Sequence, residues 1–241
     1  MIQSNFPKNV HFLSTERCIK FGASLTCSGE SGYANFNLAT HVGDDPQVVK
    51  RNRDLLIQRF NLPSEPKYLE QTHSNICLQA SSGECVGDAV VTKDKGIVCA
   101  VLTADCLPIF ACDRSGTQVG VAHAGWKGIV NGVIENFIEQ FDSDDVLVHF
   151  GPAISQDNFE VDNEVYQQFV NKNSKLDQAF IQNGDKYQLD IYQAATIILN
   201  GLGIDSITGG DQCTYLKKDQ YFSYRRDGAQ SGRMAHLIWI G

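Results

Sequence analysis

The longest apolar run in the chain, Ile97–Leu102, is apolar at every position rather than at alternate ones. A run of that length suits a strand covered on both faces, and it falls far short of the ~20 residues that cross a bilayer. The fold must therefore place other structure on each side of it. Strand-length runs crowd around it: Lys67–Glu70, Ile76–Gln79, Asp88–Thr92, Ile109–Cys112 and Gln118–Ala122. Val10–Leu13 and Ile19–Leu25 read as earlier strands, followed by a loop of small residues from Cys27 to Asn37. Asp44-Asp45-Pro46 is an acidic helix start with proline in the first turn. Val49, Leu56 and Phe60 give that helix an apolar face, which Arg51 and Arg53 leave in other directions. The strongest helical pattern is Val130, Val133, Ile134, Phe137, Ile138 and Phe141. A strand at Val146–Phe150, helices near Asp162–Val170 and Asp190–Asn200, and strands near Thr214–Leu216, Tyr221–Tyr224 and Ala235–Ile240 follow. Helices and strands alternate only in the second half, which predicts a mixed-sheet α/β fold rather than a doubly wound one. Repeats, low-complexity tracts and linkers are absent from the sequence, so residues 1–241 are expected to form a single domain.

Charge narrows the partners. Twenty Lys and Arg against 28 Asp and Glu leave a net charge of −8, which disfavours nucleic acid and anionic membrane surfaces. Met1–Arg17 lacks a basic segment followed by a long apolar one, so no secretory signal is expected and the chain is expected to be cytoplasmic. All eight cysteines are then expected as thiols, and no CxxC pair is present.

Two of the six histidines stand in unusual places. His73 lies in the polar interruption Glu70–Asn75, and His123 ends a strand and runs into Ala124-Gly125-Trp126-Lys127-Gly128. Cys106 follows the buried run through Thr103-Ala104-Asp105, and Leu107-Pro108 is expected to break the chain after it. Strand-end loops are where α/β domains gather ligands. His73, Cys106 and His123 form a plausible His₂Cys set with a fourth position open, as in a catalytic zinc site. Spacing alone leaves the plainer alternative open, in which both imidazoles are hydrogen-bonded polar groups and Cys106 is core packing. His149 and His236 read as strand residues with hydrogen-bond partners, while His11 and His41 have no polar cluster near them in sequence. Tyr224-Arg225-Arg226-Asp227 and Lys217-Lys218 read as solvated or salt-bridged loops.

Several motifs together resemble a known family. They are Gln71-Thr72-His73, Gly87-Asp88-Ala89, Thr103-Ala104-Asp105-Cys106-Leu107-Pro108, His123 to Gly128 and Gly151-Pro152-Ala153-Ile154. Asn35-Phe36-Asn37-Leu38, Val42-Gly43-Asp44-Asp45, Asn52-Arg53, Tyr224-Arg225-Arg226 and Gly232-Arg233 fit as well. Their order and setting resemble the YfiH family, once called laccase-domain or polyphenol oxidase proteins and now described as purine nucleoside phosphorylases. Ser74 departs from the pattern, since many relatives carry glycine after the histidine. The resemblance implies a monomeric mixed-sheet α/β sandwich related to the Cys–His toxin deamidases. It also implies one Zn²⁺ on His73, Cys106 and His123. The implied activity is phosphorolysis of adenosine, inosine, guanosine and methylthioadenosine, with adenosine deamination beside it.

Phosphorolysis needs a phosphate held near C1′ and a proton delivered to the base. Arg53 is a bidentate phosphate donor of the right type, Asn37 is suited to a ribose hydroxyl, and Trp126 or Tyr33 to stacking on the purine. Three rival readings remain. A metal-free Cys–His hydrolase, or a peptidoglycan-precursor editing amidase, would use Cys106 as nucleophile and His123 as base. A copper-dependent polyphenol oxidase is disfavoured by six scattered histidines and by the presence of only Met1 and Met234. A non-catalytic module would bind purine or zinc and leave nucleoside unchanged.

Overall fold

The structure, a computed structural model, describes residues 5–18, 20–21, 24–25, 33 and 36–241. It opens with β1 (Val10–Ser14), the hairpin β2 (Lys20–Phe21) and β3 (Ser24–Leu25), and helix α1 (Pro46–Phe60). Next come β4 (Cys77–Gln79), β5 (Ala89–Thr92), β6 (Cys99–Thr103), β7 (Leu107–Asp113) and β8 (Val119–Ala124). Helices α2 (Trp126–Asn131) and α3 (Val133–Glu139) lead to β9 (Val146–Phe150). The remainder holds β10 (Glu160–Val161), α4 (Asn163–Lys172), β11 (Phe180–Asn183), β12 (Lys186–Leu189) and α5 (Ile191–Gly201). The last elements are β13 (Ile207–Gly209), α6 (Tyr224–Asp227) and β14 (Met234–Ile240).

A six-stranded sheet in the order β13-β9-β7-β8-β5-β4 is parallel at its two outer pairs and antiparallel between them. An antiparallel sheet β1-β14-β6 packs against it, and β10-β12-β11 forms a small third sheet. The all-apolar run explains the layering. Val98, Ala100 and Leu102 turn towards Leu56 of α1 and towards Phe36 and Leu38, while Cys99 and Val101 turn towards Val90, Phe110 and Val121 of the large sheet. The other face of that sheet, through Val91, Ile109, Ala122 and Val148, packs on Ile134 and Phe137 of α3 and Ala195 and Leu199 of α5. The result is helix, sheet, sheet, helix, a mixed α/β fold as the patterning predicts.

Local signals are borne out at two helix starts. Asp45 caps α1 by accepting from the Gln47 N–H, with Pro46 at the first helical position. Asp190 caps α5 in the same way through Gln193. The single helix expected from Val130 to Phe141 is instead two, because Gly132 takes φ 96° and its N–H closes on the Gly128 and Ile129 carbonyls. Pro108 does not break the chain. It is the second residue of β7, opposite His123, where a missing N–H is tolerated near a strand start. Lys67–Glu70 makes only isolated bridges to Cys99 and Val86. Thr214–Leu216 and Tyr221–Tyr224 form no strands, and α6 starts at Tyr224 with Ser223 as its cap. Ile19–Leu25 supplies two short strands rather than one. Most of the Cys27–Asn37 loop lies outside the described residues.

Cys77, Cys85, Cys99, Cys106, Cys112 and Cys213 are free thiols. Cys18 is disulfide-bonded, which corrects the expectation that every cysteine is reduced; Cys27 lies outside the described residues.

Two histidines are locked in the core, as their alternating neighbours predict. His236 is fully buried, with Nδ1 2.8 Å from Ser14 Oγ and Nε2 2.8 Å from Thr103 Oγ1. His149 shares a hydrogen bond of 2.8 Å with Thr208 Oγ1. Burial pushes His236 down to about 3, with His123 adding to the effect, and pushes His149 down to about 4. Both folded-state values lie below the ordinary 6.5, so this stability is fully present above that pH and is lost as pH falls towards 4 and 3. Each histidine should contribute ~1 kcal/mol per pH unit in that window. Urea unfolding between pH 7 and 4.5 checks this, and His236→Gln should flatten the decline by about one proton.

Candidate metal centre and substrate cavity

Sheet register creates the centre. In the β7–β8 ladder Leu107 faces Ala124 and Pro108 faces His123, so Cys106, one residue before β7, lies beside Gly125 at the end of β8. His73 arrives from the loop before β4, with φ 59°. Cys106 Sγ is 3.9 Å from His73 Nε2, and the rings of His73 and His123 stand edge to face with centroids 4.8 Å apart. Ligand atoms of all three residues fall within 4.8 Å of one another, and among the described residues they form the one group of this kind. Donors around tetrahedral zinc lie roughly 3.5 Å apart, so two imidazoles and a thiol at this spacing fit a bound ion after small side-chain adjustments.

Two further residues, Asp88 and Gly125, shape the group. Asp88 is fully buried at the start of β5. Its carboxylate accepts the backbone N–H groups of Thr72 (3.2 Å), His73 (3.1 Å) and Ser74 (2.6 Å), and the Ser74 hydroxyl (2.7 Å). It also takes His123 Nδ1 at 2.8 Å, which leaves Nε2 for the centre. One carboxylate thus fixes the His73 loop and orients the His123 ring. Gly125 is required for space. A Cβ there would sit 2.7 Å from His73 Cδ2 and 3.0 Å from Cys106 Sγ.

Electrostatics single out Cys106 among the thiols. Burial raises the Cys77 and Cys112 thiols to about 12 and pushes Cys99 up further. Burial also raises Cys106, but the charge of His123 beside it, with His73, more than offsets this and brings it down to about 6. The effect is mutual. Burial lowers His123, and the Cys106 thiolate and Asp88 together raise it to about 9. Asp88 is raised by burial and lowered further by His123 and Ser74, to about 2. The thiolate is therefore the form present at neutral pH, as metal ligation or nucleophilic attack requires.

His73, Cys106 and His123 line a cavity of about 500 Å³. Trp126, Phe159 and Tyr224 give it aromatic walls, Ile154 and Ile191 an apolar corner, and Arg225 and Arg233 its cationic side; burial and the charge of Arg233 hold the His41 imidazole below its usual range, so it is neutral beside them. Arg233 Nη1 donates to the Ser231 (2.5 Å) and Gly232 (3.1 Å) carbonyls, and its guanidinium lies over the Tyr224 ring. Of the residues expected to contact substrate, Trp126 lines this cavity. Asn37 does not: it is fully buried, its Nδ2 donates to Asp44 and the Ala39 carbonyl, and its Oδ1 accepts from the Ala39 and Arg233 N–H groups. Arg53 Nε donates to the Leu38 carbonyl (2.9 Å), its guanidinium stacks 3.8 Å over Tyr68, and it lines a neighbouring depression of about 310 Å³. Tyr33 donates to the Val42 carbonyl. His41 and Tyr224, which read as unremarkable in sequence, are in the cavity, and Arg225 is there with them. Arg226 is salt-bridged as expected, bound to Asp227 and to three backbone carbonyls, and Lys217 and Lys218 are exposed, as the solvated reading has it.

A family described as multi-copper polyphenol oxidoreductase laccase matches residues 21–241, and the chain belongs to this YfiH/laccase-domain family. Among its relatives, a Haemophilus influenzae protein named purine nucleoside phosphorylase is 44% identical, over 98% of this chain and 96% of that one. The Escherichia coli purine nucleoside phosphorylase YfiH is 45% identical over 86% of this chain and 87% of its own. The fold agrees: a Neisseria meningitidis crystal structure described as DUF152 superposes with a TM-score of 0.90 at 41% identity, covering 99% of this chain and 97% of that one. No helix among the described residues is long and apolar enough to cross a membrane.

Proposed function

We propose that the chain is a zinc-dependent purine nucleoside phosphorylase acting on adenosine, inosine, guanosine and methylthioadenosine, with adenosine deamination as a side activity. The observation that carries this reading is the joining of a His₂Cys group to a cationic, aromatic-walled cavity large enough for a nucleoside. The names of the relatives point the same way. His73, Cys106 and His123 would hold the ion, which when bound supplies a positive charge that orients an oxyanion. Arg225 and Arg233 hold phosphate by charged hydrogen bonds, the role expected of Arg53 from sequence. Trp126, Phe159 and Tyr224 pack on the purine and exclude water. A phosphate oxygen bonds to C1′ as the C1′–N9 bond breaks, its electron pair passing to N9, where the leaving base takes up a proton. Ribose-1-phosphate and free base are the products.

Chromatography of adenosine incubated with and without phosphate tests the reading. Ribose-1-phosphate must appear, and only with phosphate; free ribose alone would refute it. Arg233→Ala should raise the KM for phosphate roughly ten- to hundredfold and leave that for nucleoside nearly unchanged, since a charged hydrogen bond contributes about 1.5–3 kcal/mol.

A second reading is favoured by one observation. Cys106, His123 and Asp88 stand in the order of a thiolate, its base and an orienting carboxylate, which is the constellation of a Cys–His hydrolase. Activity that survives complete removal of metal would select it.

A further inference from the structure

Asp105 immediately precedes Cys106 and holds φ 92°, a left-handed conformation that a residue other than glycine keeps only where its surroundings enforce it. It is buried, and its carboxylate is saturated. It accepts Thr214 Oγ1 at 2.6 Å, Ser223 Oγ at 3.0 Å and the Arg225 backbone N–H at 2.7 Å. Its own carbonyl accepts the Ile154 N–H at 3.0 Å. Four segments therefore meet at this residue: those of Asp105–Cys106, Ile154 and Tyr224–Arg225 line the cavity, and that of Thr214 braces them from outside its lining. One carries the thiolate and another carries Arg225, whose Nη2 is pinned to the Glu160 carbonyl (2.8 Å) so that the guanidinium lies by Phe159.

We propose that Asp105 is a positioning residue that sets the separation between the Cys106 thiolate and the arginine-bearing turn, so that the cation site and the anion wall behave as one unit. This rests on the metal and phosphate reading above. A buried carboxylate with three donors is rigid because releasing any one of them leaves charge unsatisfied. Asparagine isolates that function. It tolerates positive φ as aspartate does, but turns an NH₂ towards donors that need an acceptor.

The full-length protein reconstituted with Co²⁺ tests this through two readouts other than turnover: the thiolate-to-cobalt charge-transfer band, and titration with inorganic phosphate. Asp105→Asn should shift or weaken the band and weaken phosphate binding about tenfold, within the range of coupling between linked sites. Thr214→Val, which removes one donor and leaves Asp105 intact, should change both in the same direction by less. A folded Asp105→Asn protein with the wild-type band and wild-type phosphate affinity overturns the proposal, because a purely structural carboxylate would lower only the melting temperature. Should Asp105→Asn fail to fold, unchanged phosphate affinity in Thr214→Val overturns it instead. Wild-type protein that takes up neither Co²⁺ nor phosphate refutes the underlying metal reading, and this proposal with it.

Discussion

Cys106→Ala protein is expected to purify with less than about a tenth of the wild-type zinc and to lose phosphorolysis by on the order of 10³-fold or more. A metal that stabilises charge in the transition state is worth several kcal/mol, and every ~1.4 kcal/mol is tenfold. Elemental analysis and steady-state rates measure the two losses on one preparation. Treating wild-type protein with a strong chelator should reproduce the kinetic loss, and adding back Zn²⁺ should reverse it for wild type but not for Cys106→Ala. The metal-free hydrolase reading predicts a different pattern: the substitution abolishes activity, while the chelator does nothing. The fold should tolerate the change, because Cys106 is half-buried at the cavity rather than packed in the core.

Asp88→Ala is expected to be the most destabilising single change at the centre. It strands the buried His123 imidazole and removes the acceptor for the Thr72, His73 and Ser74 N–H groups together. Breaking one side of a buried pair costs about 3–5 kcal/mol. Urea unfolding at pH 7 should show that loss. The depressed Asp88 value, about 2, means its stabilisation is present above the ordinary 3.8 and fades as pH falls towards 2. Asp88→Asn, which keeps the shape but not the charge, should retain more stability. It should still weaken metal affinity roughly 10–100-fold by releasing the orientation of His123. Equal metal affinity in Asp88→Asn and wild type would show that the ring is oriented by packing alone.

Much of the architecture was legible in the chain. The two-faced run at Ile97–Leu102 demanded cover on both sides, and α1 announced itself through its acidic start and apolar face. Such signals are local: a cap is read two or three residues from its helix, and a buried face repeats every turn. The candidate metal group was also within reach, because each of its three residues ends or interrupts a strand. The break at Gly132 was not, since αL geometry at a glycine leaves the apolar period of its neighbours intact.

Which arginines and which carboxylates serve the cavity was decided by tertiary structure alone. Arg225 and Arg226 are adjacent and chemically identical, yet one lines the cavity and the other is spent on carbonyls at Thr214, Tyr215 and Tyr221. Arg53 has the better credentials in sequence and stacks on Tyr68 in the next depression. Asp88 and Asp105 look like ordinary loop acids until the register of β7 on β8 and the return of the C-terminal segment bring their donors to them. A side chain's partner across 35 or 120 positions depends on how strands pair and loops cross, and no property of the residue or its neighbours encodes that geometry.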